Sequence, residues 1–135
     1  MAVSLWVLLG SALGGLARYW LGIAVTALAG PAFPWGTLLI NVLGSFVIGV
    51  VGAATGENGL FEVGAGSFGR LLAVVDLRAF VMVGVCGGFT TFSSFSLQSL
   101  ELLQGGRQGA AFAYMAASVG LCLLAVWAGW VLGRG

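Results

Sequence analysis

The chain has 135 residues, of which 60% are hydrophobic and 7% charged, with a mean hydropathy of +1.11. Soluble domains carry about a quarter charged residues, so this composition is that of an integral membrane protein. Five arginines against four acids leave a net charge of +1, with no lysine and no histidine. That balance excludes the basic surface nucleic-acid binding requires, and removes the usual general bases, Schiff-base amines and imidazole metal ligands. Cys86 and Cys122 both fall in apolar segments. They read as small core residues rather than a metal cluster, and enzyme chemistry is not expected.

The first apolar run covers residues 3–29, ample for a hydrocarbon core about 30 Å thick. No basic residue precedes it and it is longer than the core of a signal peptide, so it reads as a retained first membrane helix. Gly10-x-x-x-Gly14 and Ser11-x-x-x-Gly15 put small residues one turn apart, a pattern for close helix packing. Arg18, followed by Tyr19-Trp20, is either a snorkelling arginine with an aromatic belt or a positive charge facing a wet vestibule that attracts anions.

Gly30-Pro31-Ala32-Phe33-Pro34 reads as a turn, and a second membrane helix is predicted over 35–55. Thr37, Asn41 and Ser45 share one face of it at a spacing of four. The two hydroxyls can bond back to their own helix, whereas the Asn41 amide is either glue to another helix or a pore ligand. Residues 56–77 collect Glu57, Glu62, Arg70 and Asp76 with an Asn58-Gly59 turn signal, and read as an aqueous loop. Its 68–75 portion suits a short surface helix.

The third membrane helix, 79–103, contains Gly87-Gly88-Phe89-Thr90-Thr91-Phe92-Ser93-Ser94-Phe95-Ser96. Glycines loosen a helix, and hydroxyls are costly in lipid unless partnered. A helix break over 87–90 is therefore predicted, freeing backbone carbonyls that are hard oxygen donors for sodium or potassium. Beyond it, Phe92 and Phe95 share a face, with Gln98 and Glu101 following. Gly105-Gly106-Arg107 makes a turn into a fourth helix, 108–132, on which Tyr114, Ser118 and Cys122 form a second polar stripe. Trp127, Trp130 and Arg134 suit an interfacial anchor.

The fold class is therefore all-α, one transmembrane domain of four helices with the third broken. Four crossings put Arg70, Arg78 and Arg134 on one side against Arg107 and Arg18 on the other. A count this nearly tied permits insertion both ways up, and hence an antiparallel dimer. The donors on offer, an amide, hydroxyls and phenylalanine ring edges, suit an anion. No carboxylate lies deep in a helix, which disfavours a cation channel or proton coupling. A small anion moving passively fits best.

Gly87-Gly-Phe-Thr-Thr-Phe-Ser-Ser-Phe-Ser96 resembles the signature of the Fluc/CrcB fluoride channels. Gly14-Gly-Leu-Ala-Arg-Tyr19 and Gly36-Thr-Leu-Leu-Ile-Asn-Val-Leu-Gly-Ser-Phe46 resemble that family's first and second helices, so the likeness covers essentially the whole chain. It implies a dual-topology homodimer with two antiparallel pores in a microbial inner (plasma) membrane. HF enters uncharged and ionises inside, and the trapped fluoride is exported passively, conferring fluoride resistance. By motif position, Phe92 and Phe95 would be the pore phenylalanines and Asn41 the coordinating amide. Tyr114 and Ser118 would join the lining, and Arg18 the vestibule. The Gly87 and Thr90 carbonyls of both subunits would hold a structural sodium (Na+) on the twofold axis. Three departures stand out: Gln98 where the family often has Glu, Cys122 where a serine would extend the lining, and a long 56–77 loop. Glu101 is no obvious substitute for that Glu.

Two alternatives belong to other classes. A small dual-topology multidrug exporter needs a membrane-embedded Glu in helix one, where this chain has only Arg18. A non-transporting membrane assembly subunit would leave Asn41, Phe92 and Phe95 as packing.

Overall fold

The computed structural model describes residues 2–56 and 68–134. Long apolar runs become helices because only a helix satisfies every backbone group of a single segment inside lipid. Helix α1 covers Ala2–Ala29 and stops at Gly30, whose φ of +79° is in the left-handed region that favours glycine. The Pro31–Pro34 turn leads to α2, Trp35–Ala54. Helix α3, Phe68–Arg78, passes through helical Arg78 (φ −62°, ψ −42°) into a π-helical stretch, Ala79–Cys86, and then α4, Gly87–Phe89. Thr90 and Thr91 are extended, at φ −77°, ψ 156° and φ −151°, ψ 113°. Helix α5, Phe92–Gln104, follows, and a tight turn with Gly106 at φ +72° delivers α6, Gln108–Gly133.

Four helical spans are long and apolar enough to cross a membrane: Val3–Ala29, Trp35–Ala54, Leu72–Gln104 and Gln108–Gly133. The protein is a multi-pass membrane protein whose described residues form helices and short connections, with no strand among them. Large apolar side chains such as Leu8, Leu28, Trp127 and Leu132 point outward, where lipid solvates them. Arg134 lies over the Trp130 ring, 5.1 Å from its centroid, at the end of α6.

Two features differ from the sequence reading. The helix preceding the break begins at Phe68, not at residue 79. The charges of 68–78 mark it as polar, but polarity alone does not end a helix, and nothing there removes a backbone donor. Residues 57–67 of the expected aqueous loop lie outside the described residues. The break falls at Thr90–Thr91 rather than beginning at Gly87, which is helical at φ −63°, ψ −39°.

The glycines before the break serve packing instead. A Cβ on Gly88 would meet the Ser11 Cα at 2.9 Å, and one on Gly84 the Gly10 Cα at 2.9 Å. Gly10 and Gly14 face back, onto Phe80, Val85 and Phe89 backbone atoms. This backbone-to-backbone seam joins α1 to the segment 80–89. A second seam joins α2 to α6: Gly49 lies on the Val126 and Trp130 backbone, Gly129 on Phe46 and Val50, and Gly133 on Val50. A small buried cluster of Leu38, Leu102, Ala111 and Tyr114 ties α2, α5 and α6 together near the two turns.

Candidate functional site

The extended pair Thr90–Thr91 is held by the last bond of the preceding helix and by side-chain bonds that replace the next ones. Thr90 donates both its N–H (2.9 Å) and its hydroxyl (2.8 Å) to the Cys86 carbonyl. Thr91 is tied to α2: its N–H donates to Asn41 Oδ1 at 2.8 Å, and Asn41 Nδ2 donates to its carbonyl at 3.2 Å. Thr91 also caps α5, its hydroxyl oxygen accepting from the Ser94 N–H at 3.2 Å. Helix α2 comes this close because residue 44 is glycine; a Cβ there would collide with the Thr90 methyl.

These substitutions have a consequence for the carbonyls. In an unbroken helix the Gly87 carbonyl would receive the Thr91 N–H, and the Thr90 carbonyl the Ser94 N–H. Both donors are diverted, to Asn41 and to the Thr91 hydroxyl. Among the described residues nothing else donates to either oxygen, so the break presents free carbonyls at Gly87 and Thr90.

A groove of about 370 Å³ opens beside the break, between α2, the segment 82–95 and α6. Asn41, Ser45, Thr90, Phe92, Phe95 and Ser118 are among its walls, and no lining side chain is charged. The Phe92 and Phe95 rings lie 5.4 Å apart at 48°. Phe92 is 78% exposed, so its ring faces out of the chain. Ser118 is buried and its hydroxyl finds no hydrogen-bond partner among the described residues. Cys122 lines the groove one turn further on, and both cysteines are free thiols.

Tyr114 stands behind this groove rather than in its wall. It is fully buried, its ring 5.4 Å from Phe95, and its hydroxyl donates to Gln98 Oε1 at 2.9 Å. Arg18 is elsewhere. It lines a separate depression between α1, α2 and α5 with Thr37, Thr91 and Ser94. The α2 stripe therefore divides, with Thr37 on the Arg18 side and Asn41 and Ser45 on the phenylalanine side. Thr91 borders both depressions, and the sequence reading gave it no individual role. Its signal was a hydroxyl three residues before Ser94 at the start of a helix.

Residues 5–130 match the family described as CrcB-like protein, Camphor Resistance (CrcB). The chain is 52% identical over 128 residues to a Methylocella silvestris protein named fluoride-specific ion channel FluC, covering 95% of this chain and 90% of that one. It is 49% identical to a protein of the same name from Paramagnetospirillum magneticum, over 93% of this chain and 90% of the other. A third, so named from Opitutus terrae, is 46% identical over 135 residues, 100% of this chain and 95% of its own. With a match across nearly its full length and relatives this similar, the chain belongs to the CrcB family.

Proposed function

We propose that this protein is a fluoride-selective channel that lets fluoride leave the cytoplasm passively, and so confers fluoride resistance. The observation that carries the reading is the uncharged groove at the break, where phenylalanine rings, an amide and an unpartnered hydroxyl gather with no carboxylate. Fluoride is small and strongly hydrated, and releases water only to comparable hydrogen-bond donors. Asn41 spends one Nδ2 proton on Thr91 and keeps the other. Ser118 supplies an uncommitted hydroxyl, and ring edges carry partial positive charge. Without a titrating carboxylate in its wall, this lining has no proton to exchange. The curated relatives carry the fluoride-specific channel name.

The working unit is a homodimer with one copy inverted, in the inner membrane. Support comes from the groove that Phe92 lines: its polar walls, Asn41, Ser45, Thr90 and Ser118, are poorly placed against lipid and well placed against a second copy. A twofold pair gives two equivalent antiparallel pathways, each with its own Asn41, Phe92, Phe95 and Ser118, with Tyr114 backing Phe95 and Arg18 supplying positive charge from the neighbouring depression.

The Gly87 and Thr90 carbonyls fit a structural sodium ion. They are hard, neutral oxygens stripped of their helical donors, and no group of three or more His, Cys, Asp or Glu residues competes among the described residues. Bound between two copies, the ion would neutralise the converging carbonyl dipoles and hold the two breaks together.

The test is purified protein in liposomes with a fluoride electrode. Rapid fluoride efflux with chloride retained is expected; no fluoride efflux, or chloride moving equally fast, overturns the reading.

A further inference from the structure

On the far side of Tyr114 lies a third depression, of about 330 Å³, between the α1–α2 turn and the α5–α6 turn. Thr26, Phe33, Gln98, Glu101 and Arg107 wall it. Tyr114 touches residues of both this depression and the phenylalanine groove. One side of the buried tyrosine packs on Phe95, and the other meets Phe33 edge-on, with centroids 5.5 Å apart at 85°. Its hydroxyl reaches Gln98 in the wall of the depression, whose Nε2 keeps both protons uncommitted among the described residues.

We propose that this depression is an aqueous mouth of the pathway, and that Arg107 and Glu101 set the anion concentration in it against one another. The inference rests on the channel reading above. The two cavities are linked through one buried side chain: Tyr114 packs on Phe95, which lines the groove, and hydrogen-bonds Gln98, which lines the depression. In the wall of the depression stand two charges, both exposed and not joined in a salt bridge with each other. Arg107, which lines the depression, donates a hydrogen bond from Nη1 to the Ala32 carbonyl, and no carboxylate pairs with it among the described residues. A fixed cation at a mouth raises the local anion concentration, and a fixed carboxylate lowers it. At roughly 10 Å in water each is worth about a twofold change, and salt erases it as the screening length falls from about 30 Å at 0.01 M to about 4 Å near 0.5 M.

The experiment measures fluoride efflux from liposomes at subsaturating fluoride, for the wild type, Arg107→Gln, Arg107→Lys and Glu101→Gln, in about 10 mM and about 500 mM potassium isethionate. At low salt, Arg107→Gln is expected to slow efflux about two- to threefold and Glu101→Gln to speed it about twofold, while Arg107→Lys stays near wild type. At high salt all four converge. Charge variants that change efflux in the same direction, changes that persist at high salt, or no change at all overturn the mouth. If Arg107→Gln fails to fold without its bond to Ala32, the sign and salt dependence of Glu101→Gln decide alone. A wild type that passes no fluoride is a different failure, since it removes the channel reading itself.

Discussion

The side-chain amide of Asn41 pairs with both backbone polar groups of Thr91, accepting from the N–H at 2.8 Å and donating to the carbonyl at 3.2 Å. It stands in for a missing turn of helix, and both of its ends are specified. Asn41→Leu strands an N–H and a carbonyl at once. At about 1–3 kcal/mol for each stranded group, a loss of roughly 2–5 kcal/mol is expected, read as a lower melting temperature in detergent. Asn41→Asp keeps the acceptor, loses the donor and places a like charge beside the path. Fluoride efflux is expected to fall at least about tenfold; unchanged efflux would remove Asn41 from the pathway.

Phe92 and Phe95 separate stability from transport. Phe92→Ile alters a ring already 78% exposed, so the melting temperature of the isolated chain should barely move. Phe95→Ile removes packing against Tyr114 and is expected to cost about 1–2 kcal/mol. Both should abolish fluoride efflux while size-exclusion chromatography still shows a dimer. Efflux surviving either change would mean the ring edges carry no anion.

Ser118 provides the complementary case. Its hydroxyl is buried without a partner among the described residues, so Ser118→Ala removes an unsatisfied group and should leave stability equal or up to about 1 kcal/mol higher. If the hydroxyl is spent on a passing anion, efflux falls in the same variant. A fall in efflux together with a drop in melting temperature would instead mark Ser118 as structural.

Glycines of α6 divide by what surrounds them. A Cβ at Gly129 would meet Val50 N at 3.0 Å and Phe46 C at 3.1 Å, both backbone atoms that cannot swing aside. Gly129→Ala is expected to destabilise by about 1–3 kcal/mol. Gly120 has nothing within 4 Å, and Gly120→Ala should be neutral or gain up to about 1 kcal/mol from helix propensity. Equal melting shifts for the two would sink the seam as a determinant of packing.

The helices were legible because length and hydropathy in a membrane chain leave few alternatives. The break was legible only as a region. Gly87 and Gly88 carry the sequence mark of a loose backbone, but glycine equally marks close approach, and only the partner helix decides. Gly88 lies against Ser11, so it stays helical, and the chain opens at the two threonines, whose hydroxyls satisfy local backbone groups. The Asn41 amide was recognisable as glue or as ligand; the structure supplies its partner, fifty residues away. The placement of Arg18 apart from the phenylalanine groove was not legible, because a spacing along one helix says nothing about which neighbour covers which face.

The two glycine seams bear on how the protein is made. Helix α1 is matched to 80–89, and α2 to α6, so neither of the first two helices to leave the ribosome has its main partner beside it in the chain. Each must wait in the bilayer, its flat glycine face turned to lipid, until the complementary segment is synthesised. Assembly is therefore ordered by translation: the first seam closes only when the third crossing has been inserted, and the second only after the fourth. A chain interrupted between them would leave α2 with an open face in the membrane, its glycines without the α6 backbone they are shaped to meet.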